Sequence, residues 1–351
     1  MKQARLVENE HIDIVETTLD KPAGSQVKVK VTACGICGSD IPRYFDNSAR
    51  HYPVTLGHEF CGEVLETGES VTSLKVGDMV VGVPLVPCFE CDDCKGGDFS
   101  LCKNYKFIGS SLDGAFCEEM MIDERNLFKI DKAVASKYCA LFEPSTIAVH
   151  AVKMYSNYEN KKVAVVGGGT IGEFLCLWSK IYGAKEVVLF VRRRDNDETY
   201  HRIGIENVEL SDADSIKTAK EKYTGDKGFD VVFDATGNNQ TILASLDLAC
   251  NHSNVCLVGT PVKPVMFEKR QWETINRKEL MMTGTWMSYS NPFPGEEWQQ
   301  TEQAIKEGKL VLSDDFFAGE FALDDINDAF SYIKNGKNGS VGRVLIVMNK
   351  N

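Results

Sequence analysis

The chain has 351 residues with 39 Lys and Arg against 51 Asp and Glu, a formal net charge of −12, and that length accommodates two domains that each bury a core. With 43% hydrophobic, 26% charged and 9% aromatic residues it falls in the globular range, away from disordered and fibrous chains. An acidic balance without a long Lys/Arg run gives no footprint for nucleic acid, and the lack of a hydrophobic leader or a long apolar stretch argues against export and membranes and for a cytoplasmic protein.

Twelve cysteines in a chain expected to stay reduced point to metal or catalytic use wherever they cluster. Val27–Ala33 alternates as a strand and runs into Cys34-Gly-Ile-Cys37-Gly-Ser39-Asp40; further on comes Gly57-His58-Glu59. A thiolate, an imidazole and a carboxylate at long separation suit a catalytic zinc, which keeps one position open, so Cys37 and His58 are its candidate ligands. A buried thiol and a satisfied core histidine are the alternative at this point. Cys34, at a strand end, is expected to face a core.

The stretch to about Ile130 is rich in Gly, Pro and short Val runs such as Val80–Val83, and reads as β structure. Within it Cys88, Cys91, Cys94 and Cys102 put four thiols within fifteen residues, a spacing that lets one loop wrap a tetrahedral ion. Four thiolates close the zinc shell, so that site is expected to be structural; a redox pair is the alternative, without the helix-opening context it needs.

From Lys162 strand and helix alternate: Val163–Val166 as a strand, Gly167–Gly172 as a turn, Glu173–Tyr182 as a helix, Val187–Val191 as a strand. Gly167-Gly168-Gly169-Thr170-Ile171-Gly172 fits G-x-G-x-x-G between a strand and a helix, the context a dinucleotide site requires. The next strand runs into Arg192-Arg193-Arg194 instead of the acidic residue that holds the ribose of NAD, which favours NADP, with a solvated basic turn as the alternative. Asp230–Phe233 and Asn254–Val258 read as further strands, so a doubly wound parallel sheet is the economical solution. Trp298–Glu307 and Leu323–Asn335 then read as helices and Arg343–Met348 as a last strand, with no internal repeat.

The order of Cys37, His58-Glu59, the four-cysteine lobe and a mid-chain glycine turn resembles the zinc-containing medium-chain alcohol and polyol dehydrogenases over essentially the whole chain. Matching stretches include Cys37-Gly-Ser-Asp-Ile-Pro-Arg43, Tyr52–Phe60, Pro84–Phe89, Phe107–Ser110, Phe142-Glu143-Pro144 and Gly284–Trp298. The resemblance implies an α/β protein: a GroES-like, β-rich catalytic domain over 1–145 and 290–351, with a zinc lobe at about 86–105, and a Rossmann domain over 146–289. It implies that Cys37, His58, Glu59 and Glu143 surround the catalytic zinc, that the hydroxyl of Ser39 begins a proton relay with Asp40 behind the metal shell, and that Thr146, Val258, Gly259 and Thr260 meet the nicotinamide. Relatives continue the relay through a histidine where this chain has Pro42.

The implied reaction is zinc-assisted oxidation of a secondary alcohol of a polyol, of the galactitol 1-phosphate type, with hydride passing to NAD(P) and two zinc ions per chain. Arg43, Arg50 and His51 are the candidate phosphate ligands, against plain surface charge. The rival substrates are a free polyol such as sorbitol, or threonine; a non-catalytic nucleotide-binding protein is the remote alternative. A homodimer or homotetramer is expected.

Overall fold

The structure, a computed structural model, describes residues Met1–Met348. It divides into two compact units, Met1–Thr146 with the segment from Ser288 onward, and Ile147–Met287.

In the first unit, Val27, Val29 and Val31 recur at every second position of Gln26–Ile36 and share a core with Leu56, Phe60, Val64 and Phe116. Each such valine contributes about 1.5–3 kcal/mol by leaving water. The strand lies inside a seven-stranded sheet, between Arg343–Val347 on one side and Glu59–Thr67 on the other, both antiparallel to it. Cys34 is fully buried in that strand, as expected. Phe317–Ala322 flanks Arg343–Val347, while Met79–Gly82 and Leu127–Ile130 extend the opposite edge. The register places Gly35 opposite both Glu59 and Leu345.

The second unit carries a six-stranded, all-parallel sheet in the order Asn207–Leu210, Glu186–Val191, Lys162–Val166, Phe229–Asp234, Ala249–Leu257, Met281–Gly284. Helices on its faces let the central strands be apolar throughout: Val163–Val166 and Val188–Phe190 are completely buried. The strand order reverses direction at Lys162–Val166, so the carboxyl end of that strand is the switch point where α/β sheets bind ligands.

Two short strands, Asn207–Leu210 and Met281–Gly284, were not expected, because neither has a periodic or continuous apolar run. The region expected as one helix over Leu323–Asn335 is a 3₁₀ turn, Leu323–Asp325, followed by the helix Ile326–Lys334. No helix is long and apolar enough to cross a membrane among the described residues.

Candidate active site and metal centres

The four-cysteine lobe is built by local turns. The short helix Asp92–Gly96 carries Cys94, the 3₁₀ turn Phe99–Leu101 delivers Cys102, and Gly97 takes the left-handed conformation that closes the helix. The sulfurs of Cys88, Cys91, Cys94 and Cys102 lie within 4.8 Å of one another, with Cys88 Sγ 3.5 Å from Cys102 Sγ. Backbone N–H groups of Glu90 and Cys91 lower the Cys88 thiol to about 6, whereas burial pushes Cys94 up to about 12. Four thiolates cannot share this space uncompensated, and a tetrahedral divalent ion supplies the missing charge. The residues fit a structural zinc.

The second centre is assembled from separated segments. Cys37 follows the end of Gln26–Ile36 and His58 precedes the start of Glu59–Thr67; antiparallel pairing brings that end and that start to one edge. Ligand atoms of Cys37, His58 and Glu59 then converge within 4.8 Å. Glu143, at the start of the helix Phe142–Lys153, is buried and interacts electrostatically with His58 and Glu59, but stands outside that set of three.

Asp40 is completely buried behind the ligands. Its Oδ2 accepts the Cys37 N–H at 3.0 Å, and its Oδ1 stands 3.8 Å from His58 Nδ1, beyond hydrogen-bond reach. Arg343 Nε lies 2.8 Å from Glu59 Oε2, and Nη1 donates to the Ile36 carbonyl at 3.3 Å. The guanidinium stem crosses Gly35, where a Cβ would stand 2.5 Å from Glu59 Oε2 and 3.2 Å from Arg343 Cγ. Burial drives both carboxyls up, Glu59 to about 8 against the pull of Arg343, and Glu143 to about 7 against that of His58. His58 Nδ1 and Glu59 Oε2 are buried without hydrogen-bond partners; the Arg343 N–H does not point at the carboxylate, so that contact is an ion pair only. A thiol, an imidazole and a carboxylate converging with orphaned polar atoms fit a catalytic zinc.

Around this centre, Ser39 is exposed, and Arg43 Nη1 donates to its carbonyl at 2.9 Å, to its Oγ at 3.0 Å and to Asp40 Oδ1 at 3.3 Å. Of the Arg43 guanidinium, Nη1 is the nitrogen engaged by Ser39 and Asp40. Arg50 is exposed, and His51 Nδ1 lies 3.2 Å from the Pro53 carbonyl. Thr146 is fully buried, its hydroxyl 2.7 Å from both the Glu143 carbonyl and Ser288 Oγ.

In the second unit Gly167 turns the chain at φ +115°, and a Cβ at Gly172 would run into the Gly167 carbonyl oxygen, so helix and turn touch only because both are glycine. The helix Thr170–Ile181 starts from Gly169 with no side-chain cap, and the space where a Gly169 Cβ would project is open. An uncapped helix N-terminus behind an open glycine fits a pyrophosphate. Thr170 is buried and Ile171 partly so; Tyr200 Oη donates to the Gly168 carbonyl at 2.9 Å and holds the turn. Arg192 and Arg193 are exposed, whereas Arg194 is taken up by Asp197 at 2.6 Å and stands 3.8 Å from Glu209. The N–H groups of Val258 and Gly259 donate to the Asp234 carbonyl, each at 2.9 Å, and Thr260 is exposed beyond them.

Residues 23–132 match the alcohol dehydrogenase GroES-like domain, and residues 170–307 match the zinc-binding dehydrogenase family. The chain is 33% identical to galactitol 1-phosphate 5-dehydrogenase of Escherichia coli K12 over 322 residues, 92% of each chain. This chain belongs to the zinc-dependent medium-chain alcohol dehydrogenases. The crystal structure of galactitol-1-phosphate dehydrogenase from Escherichia coli superposes with a TM-score of 0.91 at 31% identity, covering 99% of this chain and 100% of that one. A zinc-binding dehydrogenase from Sinorhizobium meliloti 1021, solved bound to NADP, matches at a TM-score of 0.86 and 27% identity over 99% of each chain. The chain is therefore a dehydrogenase of this family, with a GroES-like and a Rossmann-type domain.

Three features of the dehydrogenase escaped the sequence reading: the Arg343 ion pair with Glu59, the Tyr200 support of the glycine turn, and the bond from Arg43 to Ser39. No local pattern announces the first two. The third had a signal, since Ser39 and Arg43 are four apart and face each other once Asp40–Phe45 is helical.

Proposed function

We propose that this dehydrogenase oxidises a secondary alcohol of a sugar-alcohol phosphate, of the galactitol 1-phosphate type, with NADP preferred over NAD as the hydride acceptor. The carrying observation is the convergence of Cys37, His58 and Glu59 with the Ser39 hydroxyl two residues from Cys37. Galactitol 1-phosphate is the substrate named for the relative at 33% identity, and Arg50 and His51 offer exposed side chains near the same motif for a terminal phosphate.

Cys37, His58 and Glu59, with Glu143 close by, would hold a zinc ion that would supply Lewis-acid polarisation of the substrate hydroxyl, and a bound nicotinamide would accept the hydride. The chain's own groups do the rest. Asp40 holds the Cys37 backbone and stands beside His58, Arg343 favours the ionised form of Glu59, and Ser39 Oγ takes up the proton of the substrate hydroxyl. The uncapped start of Thr170–Ile181 holds the pyrophosphate, and the exposed Arg192 and Arg193 are the candidates for a ribose 2′-phosphate. Cys88, Cys91, Cys94 and Cys102 hold the second, structural zinc, which suits a reducing, cytoplasmic setting.

A homodimer or homotetramer is part of this reading. Its support is the edge strand Met281–Gly284, whose outer side is unpaired and which presents Met281 at 56% exposure, with Trp286 at 47% just beyond it. Light scattering on the purified protein tests this directly, a monomer at micromolar concentration overturning it.

The substrate test is a turnover screen of galactitol 1-phosphate, sorbitol, sorbitol 6-phosphate and threonine, each with NAD and NADP. The reading expects the highest kcat/KM on a phosphorylated polyol, and Arg50→Ala costing about tenfold there with little change on sorbitol. Preference for threonine or a free polyol overturns it.

A further inference from the structure

We infer that Arg43 is the positioning residue for the Ser39 hydroxyl, an inference that rests on the alcohol-oxidation reading above. Arg43 lies in the short helix Asp40–Phe45 and reaches back one turn. A single nitrogen, Nη1, meets Ser39 O at 2.9 Å, Ser39 Oγ at 3.0 Å and Asp40 Oδ1 at 3.3 Å. Asp40 is in turn fixed by the Cys37 N–H at 3.0 Å and stands 3.8 Å from His58 Nδ1. One guanidinium nitrogen therefore ties an exposed hydroxyl to the buried carboxylate that holds the Cys37 backbone and lies beside His58. An ordinary surface arginine would not be so held: this side chain is 18% exposed, and its partner carboxylate is wholly buried.

The chemistry of the contact sets its direction. A guanidinium remains protonated and has no lone pair, so Ser39 Oγ can only accept from Arg43. Oγ keeps one lone pair and its own proton for other partners. The lone pair is left to accept from a substrate hydroxyl, and the Ser39 proton must point away from Arg43, toward solvent. In the oxidation the substrate O–H bond breaks and a new Oγ–H bond forms. The proton previously on Ser39 passes to water, and the carbinol hydrogen leaves as hydride to the nicotinamide, so charge and electrons balance. The adjacent cation also favours the partial negative charge that Oγ carries as the proton passes. Because Arg43 can only donate, the relay cannot continue through it; water is the next member.

The test uses Arg43→Gln, Arg43→Lys, Ser39→Ala and the double variant Arg43→Gln/Ser39→Ala in the zinc-loaded enzyme. Glutamine removes the charge and can accept as well as donate, so it loses the enforced polarity. We expect Arg43→Gln to retain both zinc ions, to lower kcat about 10- to 100-fold with KM within about threefold, and to be partly rescued by Arg43→Lys. In the Ser39→Ala background the same change should alter kcat by less than about twofold, because the partner is gone. A crystal structure of Arg43→Gln should show Ser39 in more than one rotamer. An equal loss in both backgrounds, a rise in KM alone, or an unchanged single Ser39 rotamer overturns the inference. If the parent enzyme oxidises no secondary alcohol, the functional reading falls, and the Ser39 rotamer in Arg43→Gln still decides the role of Arg43.

Discussion

The two metal centres are made in opposite ways. The four-cysteine lobe draws all its ligands from Cys88–Cys102, closes its shell and is shaped by two short turns. The Cys37–His58–Glu59 centre draws on two strands, rests on Asp40, and is balanced by Arg343 from the last strand. A closed local site can be stabilised by its metal alone, whereas an open site depends on a sheet register to hold its ligands while one position stays free. The proposed roles follow from this contrast: stability for the first, reactivity for the second.

That division is open to direct attack. Cys37→Ser should cost about 10³-fold or more in kcat and reduce zinc from two ions to one per chain, with the melting temperature little changed. Full turnover in this variant would end the zinc mechanism. Arg343→Met should be the next largest effect, since it removes the cation that favours the ionised Glu59 a metal ion needs: zinc binding should weaken by about tenfold or more. Competition against a chelator measures this, and an unaltered affinity would remove Arg343 from the support of the centre.

Cys94→Ser tests the other side of the comparison. It should release only the structural zinc and lower the melting temperature by about 5–10 °C, for a loss of about 3 kcal/mol. Turnover per remaining zinc should stay within about threefold; a collapse of kcat at full catalytic-zinc content would mean the lobe serves reactivity too.

The pH dependence of the metal-free protein tests the charge balance of the second centre without a substitution. Burial raises Glu59 to about 8 and Glu143 to about 7 in the folded state, so between roughly pH 5 and those values the folded chain holds protons that the unfolded chain has released. Stability should therefore fall as pH rises through that window. Adding zinc should flatten the slope, because the carboxylates then have a cation; melting curves with and without metal make the comparison.

How far the sequence was readable follows the same local-versus-assembled line. The strand Lys162–Val166, the glycine turn and the helix behind it announce themselves because a short apolar run, three glycines and an apolar helical face follow one another directly. The helix Lys269–Arg277 buries no residue, so no apolar period marks it, and the strand Met281–Gly284 is too short and too exposed to show one. The spacing of Cys88, Cys91, Cys94 and Cys102 is itself the geometry of their site. For Cys37 and His58 residue type could only nominate, and the antiparallel pairing of Gly35 with Glu59 was needed to bring them together.

The sequence by itself determined the two-domain α/β organisation, the dinucleotide turn and the four-cysteine lobe, because each depends on interactions among near neighbours. Only the tertiary structure decided that Arg343 lies against Glu59, that the Thr146 hydroxyl bonds inside its own unit, and that Arg43 is bound to Ser39 and Asp40. Charge type can be read from a residue's name. Which charge meets which is set by sheet register and burial, where an unpaired ion is too costly to leave alone.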